Sequence, residues 1–121
     1  MSKFHDKQLS PAAQEFLIWA ADDYTEIFVL RTVLQRVNGP LNPEEERTAG
    51  MKVVRELLEA GSVKVGEMQA DVSGLVYWEG TNSELEARIG LAWSAEQQPS
   101  MGEGPWFNVS RDGKWRVEIR D

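Results

Sequence analysis

The sequence contains no cysteine and only one histidine among its 121 residues. The absence of cysteine excludes disulfide bonds, thiolate metal sites and cysteine nucleophiles. The histidine, His5, lies six residues before the first predicted helix. We therefore do not expect it to be held in a pocket, as a Ser-His-Asp triad requires. Asp22, Asp23 and Glu26 do not follow calcium-loop spacing, so we expect no metal. The glycines over 102–105 lack the following lysine and helix start of a phosphate-binding loop, so we expect no cofactor and predict that the chain is not an enzyme.

Long apolar runs are also missing. No stretch approaches the ~18 apolar residues of a membrane span, and the first residues lack the apolar run of a secretory signal. We therefore expect a cytoplasmic protein with no membrane partner. The length fits one domain over 1–121, with a loose N-terminus over 1–9 and a Pro- and Gly-containing loop over 97–105. The oligomeric state stays open.

Positive charge is scarce relative to negative charge. The chain has 13 Lys and Arg against 20 Asp and Glu, for a net charge of −7. Residues 41–100 hold 5 of these bases and 11 of these acids, so nearly all of the excess lies there. Such a charge opposes attraction to nucleic acid and to anionic membranes. It indicates either a solvated acidic surface or a face that attracts a basic partner.

The first part of the chain predicts two helices. Ser10-Pro11 is a favourable helix start, with serine as the cap and proline at the first position. From Tyr24 to Val37, apolar residues recur at spacings of three and four, which is typical of an amphipathic helix. We favour two helices over one across 11–37, because Asp22-Asp23 can cap a second start. Asn38-Gly39-Pro40 then ends the second helix.

The rest of the chain mixes helix and strand signals. Asn42-Pro43 predicts the start of a helix that ends at Gly61, and Thr81 to Glu84 has the spacing of a capping box. Asp112-Gly113 lies between two alternating apolar runs and predicts a hairpin turn. The predicted elements after residue 42 are a helix over 43–60, strands over 62–68 and 74–78, a helix over 83–96, and hairpin strands over 106–110 and 115–119.

Five tryptophans are many for this length. Tryptophan is enriched both in cores and in binding hot spots. Trp19 and Trp93 share helix faces with other apolar residues, so we expect both in the core. Trp106 and Trp115 are expected to pack across the hairpin. Trp78, between Tyr77 and Glu79, is either a core residue or a surface anchor.

The order of elements resembles a winged-helix domain. The resemblance covers about two thirds of the chain: helices over 24–37 and 43–60, a strand over 62–68, and a wing hairpin beginning at Trp106. The passage LLEAGSVKVGEM, over 57–68, is especially similar to the helix-to-strand passage of that family. The resemblance implies an α+β fold with three to four helices and a small antiparallel sheet. The inserted helix over 83–96 departs from the DNA-binding members.

Winged-helix resemblance also implies a transcription regulator as an alternative function. It would bind DNA through the helix over 43–60 and the hairpin over 106–119. The basic residues that would contact phosphates are Lys52, Arg55, Arg111, Lys114 and Arg116. Three consecutive glutamates in the first turn of that helix would be repelled by the backbone phosphates. Direct binding to nucleic acid is therefore disfavoured, although it stays open.

In size and composition, the chain also resembles the small acidic immunity proteins of bacterial toxin systems. These proteins inhibit cognate toxins, often nucleases with basic active surfaces. The resemblance implies a protein-binding module of the bacterial cytoplasm that covers the active surface of a basic toxin, because an acidic face steers association with a basic one. The candidate contact residues are Asp22, Asp23, Glu26, Glu44, Glu45, Glu46, Glu67, Asp71, Trp78 and Glu79.

Overall fold

The described residues form four helices and a small antiparallel sheet. The computed structural model describes residues 9–20, 25–68, 75–93 and 104–109. The α+β class and the antiparallel sheet predicted from the sequence are confirmed. The elements are α1 (Pro11–Ala20), β1 (Thr25–Glu26), α2 (Ile27–Asn38), α3 (Pro43–Ala60), β2 (Val63–Met68), β3 (Leu75–Tyr77), α4 (Asn82–Ala92) and β4 (Trp106–Val109).

The break between α1 and α2 confirms that two helices span 11–37. Ser10 caps α1, since its hydroxyl accepts a hydrogen bond from the Ala13 N–H at 3.3 Å. The start of α2 differs from the prediction in two ways. Its N-cap residue is Glu26, whose side chain makes no capping hydrogen bond. The two-residue strand β1 precedes it, where the sequence predicted continuous helix from Tyr24.

Local sequence signals set the ends of α3 and α4. Asn42 and Glu45 form a capping box, with side-chain to backbone distances of 2.8 and 3.0 Å. Thr81 and Glu84 form the second one, at 3.2 and 2.8 Å. Gly61 ends α3 at φ 70°, a left-handed conformation that glycine adopts without steric cost. Each box pairs two backbone N–H groups that the helix itself leaves unpaired.

The strands form one sheet in the order β1-β4-β2-β3, with every neighbouring pair antiparallel. The last of the described strands, β4, therefore lies between β1 and β2. Val65 is opposite Phe107, and Gly66 is opposite both Trp106 and Tyr77. The second strand predicted for the hairpin, 115–119, lies outside the described residues.

The core lies between one face of the sheet and the helices. Val63, Val65, Phe107 and Val109 are buried on that face. The rings of Phe16 in α1 and Phe107 in β4 meet edge to face, with centroids 5.7 Å apart. Such a pair contributes about 0.5–1.5 kcal/mol beyond its buried area.

Trp93 closes the other side of the core, between α3 and α4. It is fully buried, as predicted, and its ring lies directly over Gly50 of α3. Trp19 is the opposite case: it was expected in the core, yet it is 44% exposed. Its indole Nε1–H donates to Glu15 at 2.9 Å, and the Arg36 guanidinium stacks on its ring. These polar contacts let the ring remain at the surface.

Candidate functional site

The run of three glutamates at the start of α3 divides into three different environments. Glu44 is exposed and makes no hydrogen bond or ion pair within the described part of the chain. Glu45 is exposed, but its carboxylate belongs to the Asn42 capping box. Glu46 is only 3% exposed and lies against α2. Consecutive helical residues point about 100° apart, so the run cannot form one continuous face.

Glu46 holds α2 and α3 together. Its carboxylate accepts hydrogen bonds from Nε of Arg31 at 2.7 Å and from Nε2 of Gln35 at 2.6 Å. Arg31 and Gln35 are four residues apart, so both lie on one face of α2. Glu46 is therefore an internal residue of the helix pair and not part of an exposed contact surface.

Five other candidate contact residues either lie away from the open surface or fall outside the described residues. Glu26 is 7% exposed and is opposite Trp106 in the sheet. Trp78 is half-buried against the core, and the guanidinium of Arg88 covers its ring at 3.8 Å from the centroid. Asp22, Asp23 and Asp71 lie outside the described residues.

The exposed candidates lie at separate positions on the molecule. Glu44 and Glu45 begin α3, whereas Glu79 lies three residues before α4. The two helices run antiparallel, because Asn82 at the start of α4 donates to the Leu58 carbonyl near the end of α3, and Arg47 near the start of α3 donates to the Gly90 carbonyl near the end of α4. About 20 Å of helix separates Glu44 from that end. Glu67 lies near the far end of β2. The sequence-based candidates therefore do not form one face.

A denser group of carboxylates surrounds the place where α3 ends and α4 begins. We call it the acidic end, and it consists of Glu59, Glu79, Glu84 and Glu86. Glu59 and Glu79 are exposed and make no hydrogen bond or ion pair within the ranges that the structure describes. Sequence reasoning included only Glu79 of this group. The capping box at Thr81 was the available signal, because it brings two further carboxylates into the first turns of α4.

One arginine partly compensates the acidic end. Arg55 forms a bidentate ion pair with Glu86, whose shortest N–O distance is 2.8 Å. The hydrogen bonds that Arg55 donates to Glu86, then the charges of Glu86 and Glu59, raise the pKa of the Arg55 guanidinium above its ordinary value. Arg55 is 61% exposed, so this surface pair adds little to stability. It links α3 and α4 at this end.

Most of the basic residues of α3 make hydrogen bonds to α4 or to the residue that follows it. Arg47 donates from Nε to the carbonyl of Trp93 and from Nη2 to that of Gly90 at 2.9 Å. Arg55 is paired with Glu86, which leaves Lys52 as the exposed base without such a contact on this helix. Arg111, Lys114 and Arg116 of the predicted wing lie outside the described residues. Two of the three basic side chains on the candidate groove helix thus contact protein.

Large apolar side chains at the surface were not anticipated. Leu91 is 85% exposed and Ile18 is 68% exposed. Ala92, the last residue of α4, is exposed as well. The exposure of Leu91 was missed because α4 has a weak amphipathic pattern, with small residues over much of its length.

The described ranges lack the features of a metal site and of a membrane span. These ranges contain no group of three or more acidic or histidine side chains that could hold a metal ion. None of their helices combines the length and apolar character that crossing a bilayer requires. No protein family, curated protein or solved structure matches the chain.

Proposed function

We propose that this chain is an acidic protein-binding module that inhibits a basic toxin by covering its active surface, as immunity proteins of bacteria do. The observation that carries the proposal is the acidic end, where four carboxylates flank the end of α3 and the start of α4 and, among the described residues, Arg55 pairs with Glu86. In this proposal the chain acts by binding in the bacterial cytoplasm and catalyses nothing. It refines the sequence-based contact set by retaining Glu79 and adding Glu59, Glu84 and Glu86.

Electrostatics supports a basic partner. Like charges held together on one surface repel each other, and a cationic surface relieves that repulsion on binding. The same field speeds encounter, because complementary potentials raise association rates above those of neutral surfaces. A toxin that acts on nucleic acid carries a cationic cleft for phosphates, and carboxylates are suited to occupy it.

Rigidity supports the choice of this end of the molecule over Glu44 or Glu67. The Arg55–Glu86 ion pair and the hydrogen bond from Asn82 to Leu58 link α4 to α3 at this point, and Trp93 packs between the same two helices. Glu84 is anchored through one oxygen in the Thr81 capping box. A preorganised surface loses less conformational entropy on binding than a mobile one. Glu59 and Glu79 then supply charge without being needed for the fold.

The geometry gives the winged-helix regulator less support. Direct DNA binding through α3 would need Arg47 and Arg55 to leave their contacts with α4. Lys52 alone is a small contribution, since the electrostatic affinity for DNA grows with the number of phosphates that Lys and Arg side chains neutralise. We therefore retain the regulator only as an outcome of the test below.

The test is a pull-down with the tagged protein from a lysate of its source cells. We expect it to retain a protein with a basic surface, and to lose that protein when the salt concentration is raised. The double variant Glu59→Lys/Glu79→Lys should bind the partner at least about tenfold more weakly, which corresponds to about 1.4 kcal/mol. Neither side chain makes a hydrogen bond or ion pair among the described residues, and Glu59 acts on Arg55 only through its charge, so the variant should lose less than about 1 kcal/mol of stability.

The matched control is Glu44→Lys, which reverses an equally exposed and unpaired carboxylate at the opposite end of α3. It should bind the partner as the wild type does. If the double variant retained the partner as well as the wild type does, the contact surface would lie outside the acidic end. The same would follow if Glu44→Lys lost more partner than the double variant. A mobility shift of genomic DNA fragments at low salt, abolished by Lys52→Ala, would instead favour the regulator.

A further inference from the structure

The end of α2 carries a chemically labile pair of residues, Asn38 and Gly39, that the proposed function does not use. Asn38 is the last residue of α2 and is exposed. Gly39 follows at φ 84°, outside helical geometry. We propose that Asn38 is a site of spontaneous deamidation, in which the protein modifies itself without an enzyme.

The reaction requires only the chain and water. The backbone nitrogen of Gly39 attacks Cγ of Asn38, so that a new C–N bond closes a five-membered imide. The bond from Cγ to Nδ2 breaks, and ammonia leaves with the proton lost from the attacking nitrogen. Water then opens the imide at one of its two carbonyl groups. The products are aspartate or isoaspartate at position 38, each with one more negative charge.

The other asparagines each lack something that this reaction needs. Asn42 precedes Pro43, whose nitrogen carries no hydrogen to lose. Asn82 lies at the start of α4, and its Nδ2 donates to the Leu58 carbonyl at 3.3 Å. Asn108 is buried within β4 and its Nδ2 donates to the Tyr77 hydroxyl at 2.7 Å. Asn38 alone combines exposure with a following glycine, whose lack of a Cβ leaves the nitrogen open to approach.

One hydrogen bond limits the rate of the reaction in the folded protein. The Gly39 N–H donates to the carbonyl of Gln35 at 3.1 Å, which holds the attacking nitrogen in the helix cap. Ring closure needs that bond to break, so the rate follows fraying of the last turn of α2. Water has direct access to Asn38, which is exposed and lines a cavity of about 190 Å³ together with Val37 and Lys52.

The product changes the environment at the end of α2. A carboxylate at a helix C-terminus meets the negative end of the helix dipole, which is unfavourable. Isoaspartate also adds one carbon to the backbone in the short link between α2 and α3. The conversion therefore weakens the helix pair that Glu46 joins. Lys52 lines the same cavity and offsets part of the added charge.

The experiment follows the purified protein during prolonged incubation at neutral pH. After digestion, mass spectrometry should show a gain of one mass unit in the peptide that contains Asn38. An isoaspartyl methyltransferase should label that peptide, while peptides with the other three asparagines stay unchanged. The Asn38→Gln variant should show no conversion, because its longer side chain disfavours the five-membered ring.

The same incubation in urea provides the positive control, since unfolding frees the Gly39 nitrogen. We expect conversion there to be several-fold faster than in the folded protein. A folded chain that never converts at Asn38, under conditions in which the unfolded chain does, would overturn the proposal. So would conversion at Asn82 or Asn108 ahead of Asn38.

Discussion

Replacing Gly50 with alanine is expected to destabilise the protein by about 2–3 kcal/mol, within the range that overpacking costs. An alanine Cβ at this position would overlap the six-membered ring of Trp93, which is fully buried and closes the space between α3 and α4. Alanine also favours a helix over glycine by about 1 kcal/mol, which works in the opposite direction. The steric overlap is larger, because neither the helix backbone nor a buried indole can move far.

The measurement is urea unfolding followed by tryptophan fluorescence. Gly90→Ala is the matched control, since its Cβ would lie 3.1 Å from Nη2 of Arg47, the end of a flexible side chain. It should change stability by less than about 1 kcal/mol. In Gly50→Ala/Trp93→Leu the loss should be smaller than the sum of the two single losses. A Gly50→Ala protein as stable as the wild type would contradict the packing of Trp93 on α3.

Replacing Glu46 with alanine is expected to cost about 2–3 kcal/mol, somewhat below the range for wholly buried ion pairs. The change removes the acceptor of Arg31 and Gln35 at the α2–α3 contact. Arg31 retains 24% of its side-chain exposure, and water can therefore solvate it in part. The loss should persist at high salt, because buried pairs are screened much less than exposed ones.

Glu44→Ala is the control for Glu46→Ala, since both residues belong to the same run of glutamates. It should change stability by less than about 1 kcal/mol, because Glu44 is exposed and contributes only through the helix dipole. The stability loss of Glu46→Gln should fall between those of Glu44→Ala and Glu46→Ala, because its amide oxygen can still accept one hydrogen bond. Equal losses for Glu44→Ala and Glu46→Ala in urea unfolding would contradict the assignment of Glu46 as internal.

Features that depend on a few neighbouring residues could be predicted from the sequence. The Asn42–Glu45 and Thr81–Glu84 boxes and the cap at Gly61 follow from side chains three residues apart or from one backbone conformation. The α+β class followed from the same local signals. The strand β1 could not be found in this way, because two residues carry no alternation and its pairing with β4 joins distant parts of the chain.

The candidate site was less predictable, because it depends on tertiary packing. Three adjacent glutamates look alike in the sequence, and only the approach of α2 separates Glu46 from Glu44. Likewise, nothing local indicates that α4 lies against α3 and brings Glu86 to Arg55. Charge counting identified the acidic middle of the chain, whereas the folded structure was needed to group its members.

The rate at which the protein associates with its partner, measured as a function of ionic strength, tests the central claim most directly. The purified partner from the pull-down would be mixed with the wild type and with Glu59→Lys/Glu79→Lys in stopped flow. We predict that the wild-type association rate falls steeply as salt is added, and that the double variant is slower at low salt and depends on salt more weakly. Identical rates for the two proteins at every salt concentration would contradict binding through the acidic end.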